Sequence, residues 1–221
     1  MGIFKTIIED ISQPKSQDPA YRSFVDLIFN YPGVWAVVNH RFIHALWIRK
    51  WHKLARILAG ISNFLTRVDL HPAAVVGKRV FIDHATGIVI GETAIIGNDC
   101  LIYQGVTLGG VSLDKGKRHP TLEDGVVVGA GAKILGNITI GKGSKIGANS
   151  VVVKDVPPNS TAVGIPAKCI SSDNRPFEHN KLPDITKELL IYLIERVENL
   201  ECQNSTQLDK KYQEYIKSIK E

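Results

Sequence analysis

The sequence predicts a mixed α and β fold: an N-terminal helical region, then a parallel β-helix of hexapeptide repeats, then a C-terminal helical tail. The first observation behind this is a period. From Leu70 to Val156 an apolar residue returns every sixth position, often followed by Gly. The series reads Leu70, Val76, Ile82, resumes as Ile90, Ile96, Ile102, Leu108, and continues beyond a loop as Leu122, Val128, Ile134, Ile140, Ile146, Val152. The second is that the fourth residue past many of these is small or β-branched (Val80, Ala94, Cys100, Val106, Val126, Ala132, Ser144, Ser150), which predicts a second inward set. No helix keeps an apolar seam at that period, whereas short strands stacked in coils do. Third, the flanking apolar residues recur at helical spacing.

The boundaries follow from these changes of period: a helical region over residues 1–66, the β-helix over 67–170, and a linker with a helical tail over 171–221. In the first region Ile3, Ile7, Ile8 and Ile11 share a helix face, and Tyr21 to Thr66 carries Phe24, Leu27, Ile28, Trp35, Val38, Leu46 and Leu54 on recurrent faces. Pro32-Gly33 predicts a break between two helices. Asp18-Pro19 has the form of a helix start, with Asp as N-cap and Pro in the first turn. His40 and His44 lie one helical turn apart, a spacing that binds metals, but without a third ligand nearby they predict a packing seam.

Within the β-helix a hexad cannot bury its own apolar residue, so each unit stacks on its neighbours, three to a triangular coil and about five coils in all. Pro157-Pro158 and Pro166 mark the exit from regular coiling. Residues 171–182 read as a linker, and Ile185 to Leu200 as an amphipathic helix with Leu190, Leu193, Val197 and Leu200 on one side.

Composition bounds the setting. A chain of 221 residues, 44% hydrophobic, suffices for one solid core with an accessory region. No apolar run is long enough for a membrane span, and the start Met1-Gly2-Ile3-Phe4-Lys5 lacks the apolar core of a secretory signal, so a cytoplasmic protein is expected. Three cysteines without paired spacing fit a reducing compartment. The net charge of +5 is scattered except at Lys115, Lys117 and Arg118, and no nucleic-acid motif is present.

The repeat breaks twice, and both breaks contain histidine. Two extra residues fall between Ile82 and Ile90, around Asp83-His84-Ala85-Thr86-Gly87, and a loop from Gly109 to Pro120 separates Leu108 from Leu122. Rigid scaffolds commonly carry their sites on such irregular segments. Asp83-His84 and Arg118-His119 lie 35 residues apart, close to two coils, which places them on one side of the prism. Asp69 lies 15 residues before His84, roughly one coil, within reach of its imidazole. A histidine oriented by a carboxylate is a general base for removing a hydroxyl proton. Arg118 offers a planar fork for a carboxylate, while Asp18 and Asp83 suit an ammonium. Together these groups describe a zwitterionic hydroxyl substrate.

At these residues the chain resembles the serine O-acetyltransferases. The resemblance rests on Asp83-His84-Ala85-Thr86-Gly87-Ile88-Val89-Ile90-Gly91-Glu92-Thr93, Gln104-Gly105-Val106-Thr107-Leu108-Gly109-Gly110, Lys117-Arg118-His119-Pro120 and Gly129-Ala130-Gly131-Ala132-Lys133-Ile134-Leu135-Gly136, and it extends over about Asp18 to Ile170. It implies a left-handed coil, with His84 as base, Asp69 as its orienting partner, Asp18 and Asp83 as ligands of the serine amine, and Arg118 with His119 as ligands of its carboxylate. Acetyl-CoA, a co-substrate and not a resident cofactor, would lie near Gly110, Ala130, Lys145 and Lys168, and transfer would be direct. Cys100, in an inward slot, predicts a buried and inert thiol. No metal is implied. L-cysteine is expected as a feedback inhibitor, since it keeps the charged groups of L-serine.

Three departures qualify the resemblance. The helical region before Asp18 is short, which favours a homo-trimer. Val111-Ser112 stands where Thr-Gly is usual, and the chain closes on Lys220-Glu221 and not on Ile, so docking into a cysteine synthase complex is not expected. Rival readings are a hexapeptide acetyltransferase for a sugar or antibiotic hydroxyl, a zinc hydratase using His71, His84 and His119, and a non-catalytic scaffold.

Overall fold

Pro32 and Ser23 do much to set the helical region. The helices are α1 (Ile3–Ile11), α2 (Gln13–Gln17), α3 (Phe24–Asn30), α4 (Pro32–Ile48) and α5 (His52–Thr66). The computed structural model describes residues 2–170 and 190–197. Ser23 caps α3, its Oγ accepting the Asp26 N–H at 3.3 Å, and Pro32 opens α4, where a missing N–H costs nothing. The predicted break at Pro32-Gly33 is therefore present. Asp18 differs from expectation: it ends α2 in an extended conformation and starts no helix, because its Oδ1 accepts the Ala20 N–H at 2.7 Å in a local turn.

The hexads form β1 (Val68–Leu70), β2 (Val75–Val76), β3 (Phe81–Ile82), β4 (Ile88–Ile90), β5 (Ile95–Ile96), β6 (Leu101–Ile102), β7 (Thr107–Gly109), β8 (Thr121–Leu122), β9 (Val127–Val128), β10 (Lys133–Leu135), β11 (Thr139–Ile140), β12 (Lys145–Ile146) and β13 (Val151–Val152), followed by β14 (Thr161–Gly164) and β15 (Ala167–Ile170). Three sheets run along the coil: β1-β4-β7-β10-β13, β2-β5-β8-β11, and β3-β6-β9-β12-β14-β15. Every pairing is parallel except the last, β14 with β15. Ladder partners are eighteen residues apart in regular coils (Ile134 with Val152), twenty across the first insertion (Leu70 with Ile90) and twenty-six across the loop (Leu108 with Ile134). Both insertions thus project from corners and leave the ladder unbroken.

The hexad residues from Ile82 to Val152 are at most 2% exposed, and the second inward set from Val80 to Ser150 is buried likewise. Each buried Ile or Leu contributes about 1.5–3 kcal/mol. Cys100 is among them, its thiol 3.2 Å from the Glu123 carbonyl and pushed up by burial to about 11, so it is inert as expected.

Ala36 and Val37 of α4 join this core, and Gly33 lets the helix touch the first coil: a Cβ there would meet the Ile82 Cγ2 at 2.7 Å. His40 and His44 form the predicted seam, Nε2 of His40 bonding the Ala74 carbonyl at 3.0 Å and Nδ1 of His44 that of Pro72 at 2.8 Å. Arg41 between them pairs with buried Asp10 of α1 at 2.9 Å and donates to the Val76 and Gly77 carbonyls, both at 2.5 Å. Asp10 also accepts the Arg79 N–H at 3.0 Å, so one carboxylate ties α1, α4 and the first coil together.

Met1–Asn174 form one compact unit and Arg175–Glu221 another. In the latter, residues 190–197 are helical; the predicted linker over 171–182 and the rest of the helix predicted from Ile185 to Leu200 lie outside the described residues. No described helix is long and apolar enough to cross a membrane.

Candidate active site

The two insertions sit at opposite edges of the face made by β1, β4, β7, β10 and β13. The first links β3 to β4, and the loop links β7 to β8. Each edge has its own chemistry.

At the first edge His84 and Ala85 both take left-handed φ, 56° and 58°, which side chains other than glycine seldom adopt. The turn is held by backbone bonds from Ala85 to Asp83 at 2.7 Å and from Gly105 to Thr86 at 2.9 Å. The outcome is a histidine whose side chain is 72% exposed, with Nε2 3.8 Å from the Asp83 carboxylate. Asp83 is itself 17% exposed and accepts the His84 N–H at 2.9 Å. Burial raises its pKa and the Asp18 charge raises it further, while His84 opposes both. Asp18 is held below the usual carboxylate range, chiefly by the Tyr31 hydroxyl donating to Oδ2 at 2.6 Å. Tyr31 is raised in turn, first by burial and then by Asp18. Tyr103 is raised by burial and by both carboxylates, which places its phenol at the same edge. Two carboxylates and two phenols around an exposed imidazole suit an ammonium next to a base.

At the second edge Thr93 organises the loop. Its Oγ1 accepts the N–H groups of Arg118 and His119, both at 3.0 Å, and lies 2.8 Å from His119 Nδ1. Its own N–H donates to that nitrogen at 3.2 Å. Lys117 turns inward, donating to the carbonyls of Thr93 at 2.7 Å, His119 at 2.5 Å and Pro120 at 3.2 Å, and burial lowers its pKa. It anchors the loop. Arg118 donates to Glu92 at 2.5 Å, and this bond is the main reason Glu92 lies below its usual range. His119 is buried, and burial, then the Arg118 and Lys117 charges, lower its pKa. Gly91 makes room for its ring, since a Cβ there would overlap Cδ2 and Nε2.

Within one chain the sequence-predicted residues therefore gather as two half-sites: Asp18, Asp83 and His84 on one edge, Arg118 and His119 on the other. Asp69 does not meet His84. It is exposed on β1 in register with Val89, since the coil step here is twenty residues and not fifteen, and its charge acts on His71. No hydrogen bond or ion pair joins it to His84 among the described residues. Likewise, His71 and His119 share the second edge and His84 the first. Gly110 opens the loop, whereas Ala130 follows β9, stacked on the first edge below Gln104; Lys145 and Lys168 lie on β12 and β15 of the third sheet. Sequence reasoning missed Tyr31, Tyr103, Glu92 and Thr93. Glu92 and Thr93 follow the first break by a few residues, whereas nothing in the spacing marks Tyr31 or Tyr103.

A β-helix with acid–base groups on its corners is the architecture of the hexapeptide-repeat transferases, and the family model described as bacterial transferase hexapeptide (six repeats) matches residues 119–154. Among curated relatives, a serine acetyltransferase of Mycobacterium tuberculosis is 53% identical over 197 residues, 87% of this chain and 86% of the relative. One of Bacillus pumilus is 51% identical over 185 residues, covering 82% and 85%. Accordingly, the chain belongs to the serine acetyltransferase family, whose coil is the left-handed parallel β-helix expected from the resemblance. Solved structures agree. The Neisseria gonorrhoeae serine acetyltransferase in complex with serine aligns with a TM-score of 0.73 at 45% identity, over 76% of this chain and 69% of that one. A serine acetyltransferase complex with cysteine gives 0.75 at 45%, over 78% and 67%. The Brucella abortus enzyme in complex with coenzyme A gives 0.74 at 43%, over 78% and 69%.

Proposed function

We propose that this chain transfers the acetyl group of acetyl-CoA to the hydroxyl of L-serine, giving O-acetylserine for cysteine synthesis. The observation that carries the reading is the division of charge between the edges, carboxylates beside an exposed imidazole on one and a guanidinium beside a buried imidazole on the other. Such a pair grips an amino acid by both ends and leaves a base at its hydroxyl. His84 takes the hydroxyl proton as the serine oxygen attacks the acetyl carbon; the C–S bond breaks, and the CoA thiolate leaves and takes up a proton. Asp18 and Asp83 hold the ammonium, and Arg118 and His119 the carboxylate. Asp69 acts on the imidazole only once substrate or a neighbouring subunit closes the gap.

Because the half-sites lie at opposite edges of one face, the reading includes a homo-trimer in which the first edge of one subunit meets the second edge of the next. Gly110 then faces Ala130, Lys145 and Lys168 across that boundary, and acetyl-CoA lies between them. L-cysteine competes with serine for the same charged groups, and a reducing, cytoplasmic setting goes with these substrates. The domain limits proposed at 66/67 and 170/171 go with a catalytic β-helix. Thiol release from acetyl-CoA tests the activity: turnover with serine and none with sugar hydroxyls is expected, and turnover with sugars alone would overturn it. Light scattering tests the assembly, where a fully active monomer would refute the shared site.

A further inference from the structure

His119 is the more constrained of the two groups at the second edge. A backbone N–H can only donate, so the Thr93 N–H at 3.2 Å requires a lone pair on His119 Nδ1. The Thr93 hydroxyl, 2.8 Å away, reaches the same nitrogen as a second donor, and its oxygen accepts the two backbone N–H groups of Arg118 and His119. With Nδ1 taken, the ring proton belongs on Nε2, which lies where Gly91 and Gly110 lack side chains: a Cβ on Gly110 would stand 3.3 Å from it. We propose that Thr93 is a positioning residue that fixes His119 as a neutral imidazole with its proton on Nε2, so that this residue serves serine as an uncharged donor and Arg118 alone supplies the positive charge.

The surroundings agree on both sides of the ring. Arg118 and Lys117 from the loop oppose a second proton, and Glu92 favours one; burial outweighs Glu92. His71, from the turn after β1, is close enough that a positive charge on one of the two rings disfavours a charge on the other. Protonating Nδ1 would also point its hydrogen at the Thr93 N–H, leaving two donors face to face in a buried site.

The inference rests on the serine reading for its kinetic consequence but not for its chemistry, and the test separates the two. Nitrogen-15 spectra of the histidine-labelled full chain, assigned by the signal lost in His119→Gln, should show a lone-pair Nδ1 and a protonated Nε2 at pH 7. Thr93→Val keeps the shape and removes the oxygen. It should mix the tautomers and raise the KM for serine roughly ten- to a hundredfold, the range expected for orphaned buried hydrogen-bonding groups. The KM for acetyl-CoA should stay within about twofold, and Thr93→Ser should restore both signals. A cationic or Nδ1-protonated His119 in the wild-type chain at pH 7 would overturn the proposal even if serine is the substrate, as would Thr93→Val with unaltered spectrum and serine KM. Should serine not be acetylated at all, the spectra still decide the role of Thr93, and should Thr93→Val fail to fold, the spectrum of Thr93→Ala, which also lacks the oxygen, decides it.

Discussion

Adding one methyl group at Gly91 should damage the second edge without removing any polar group. The backbone at Gly91 is not in the left-handed region, so alanine is conformationally acceptable, and the nearest obstacle is the His119 ring. A Cβ would stand 2.8 Å from the ring Cγ and closer still to Cδ2 and Nε2. Carbon contacts are ordinarily about 3.5–4.0 Å, so the ring has to retreat by roughly 1 Å or more. Its two bonds to Thr93 resist this, and the strain should cost about 1–3 kcal/mol of stability, as overpacking does. A displacement of that size in a positioning group costs on the order of 10²-fold in rate. Initial rates of thiol release against serine concentration should show kcat/KM for serine falling about a hundredfold, with the KM for acetyl-CoA nearly unchanged. In a chain already carrying His119→Ala the same methyl should have little further effect. Gly91→Ala with wild-type kcat/KM, or with an equal loss in the absence of His119, would refute the steric argument.

His84→Ala should lower turnover by about 10²–10⁴ with little change in thermal unfolding, and Asp69→Asn should do less, as measured by thiol release. Arg118→Ala should weaken serine and cysteine together; steady-state inhibition in which cysteine is unaffected while serine binding collapses would separate their sites. Tyr31→Phe removes the main cause that holds Asp18 below its ordinary range. The Asp18 charge is present above its pKa and lost as pH falls through it, so raising that pKa should move the acid limb of kcat/KM for serine to higher pH. Asp10→Ala strands the largely covered Arg41 cation and should cost about 3 kcal/mol in denaturant unfolding, with serine kinetics intact wherever the chain stays folded.

The scaffold was legible because its information is periodic. Ile96 and Val126 are buried for reasons of spacing alone, and the corners carrying His84 and His119 appear as interruptions of that spacing. The reach of individual side chains was not legible. A separation of fifteen residues puts Asp69 beside His84 in sequence terms, but the coil there takes twenty, so its ladder partner is Val89, five residues past His84, and its charge acts on His71. Arg118 and Glu92 are separated by twenty-six residues, as are Thr93 and His119, and meet only because the loop returns to the corner it left. Asp18 has the sequence of an N-cap, and only the fold provides Tyr31 as its partner and makes it part of an acidic edge.

A stack of near-identical coils contains no instruction to stop. Any bare end offers unpaired strands and an open apolar section, on which a second molecule can add in register as one more coil, and a third on that, as in a growing fibre. Both ends of this stack are altered in ways that end such growth. At the start, Ala36 and Val37 of α4 fill the apolar section of the first coil, with Gly33 seating the helix there. At the other end β15 runs against β14, so the third sheet finishes with a strand of the wrong direction for another parallel turn. The helix and the reversed strand keep a self-complementary repeat finite, and a variant that loosens either should be judged by fibre formation as well as by catalysis.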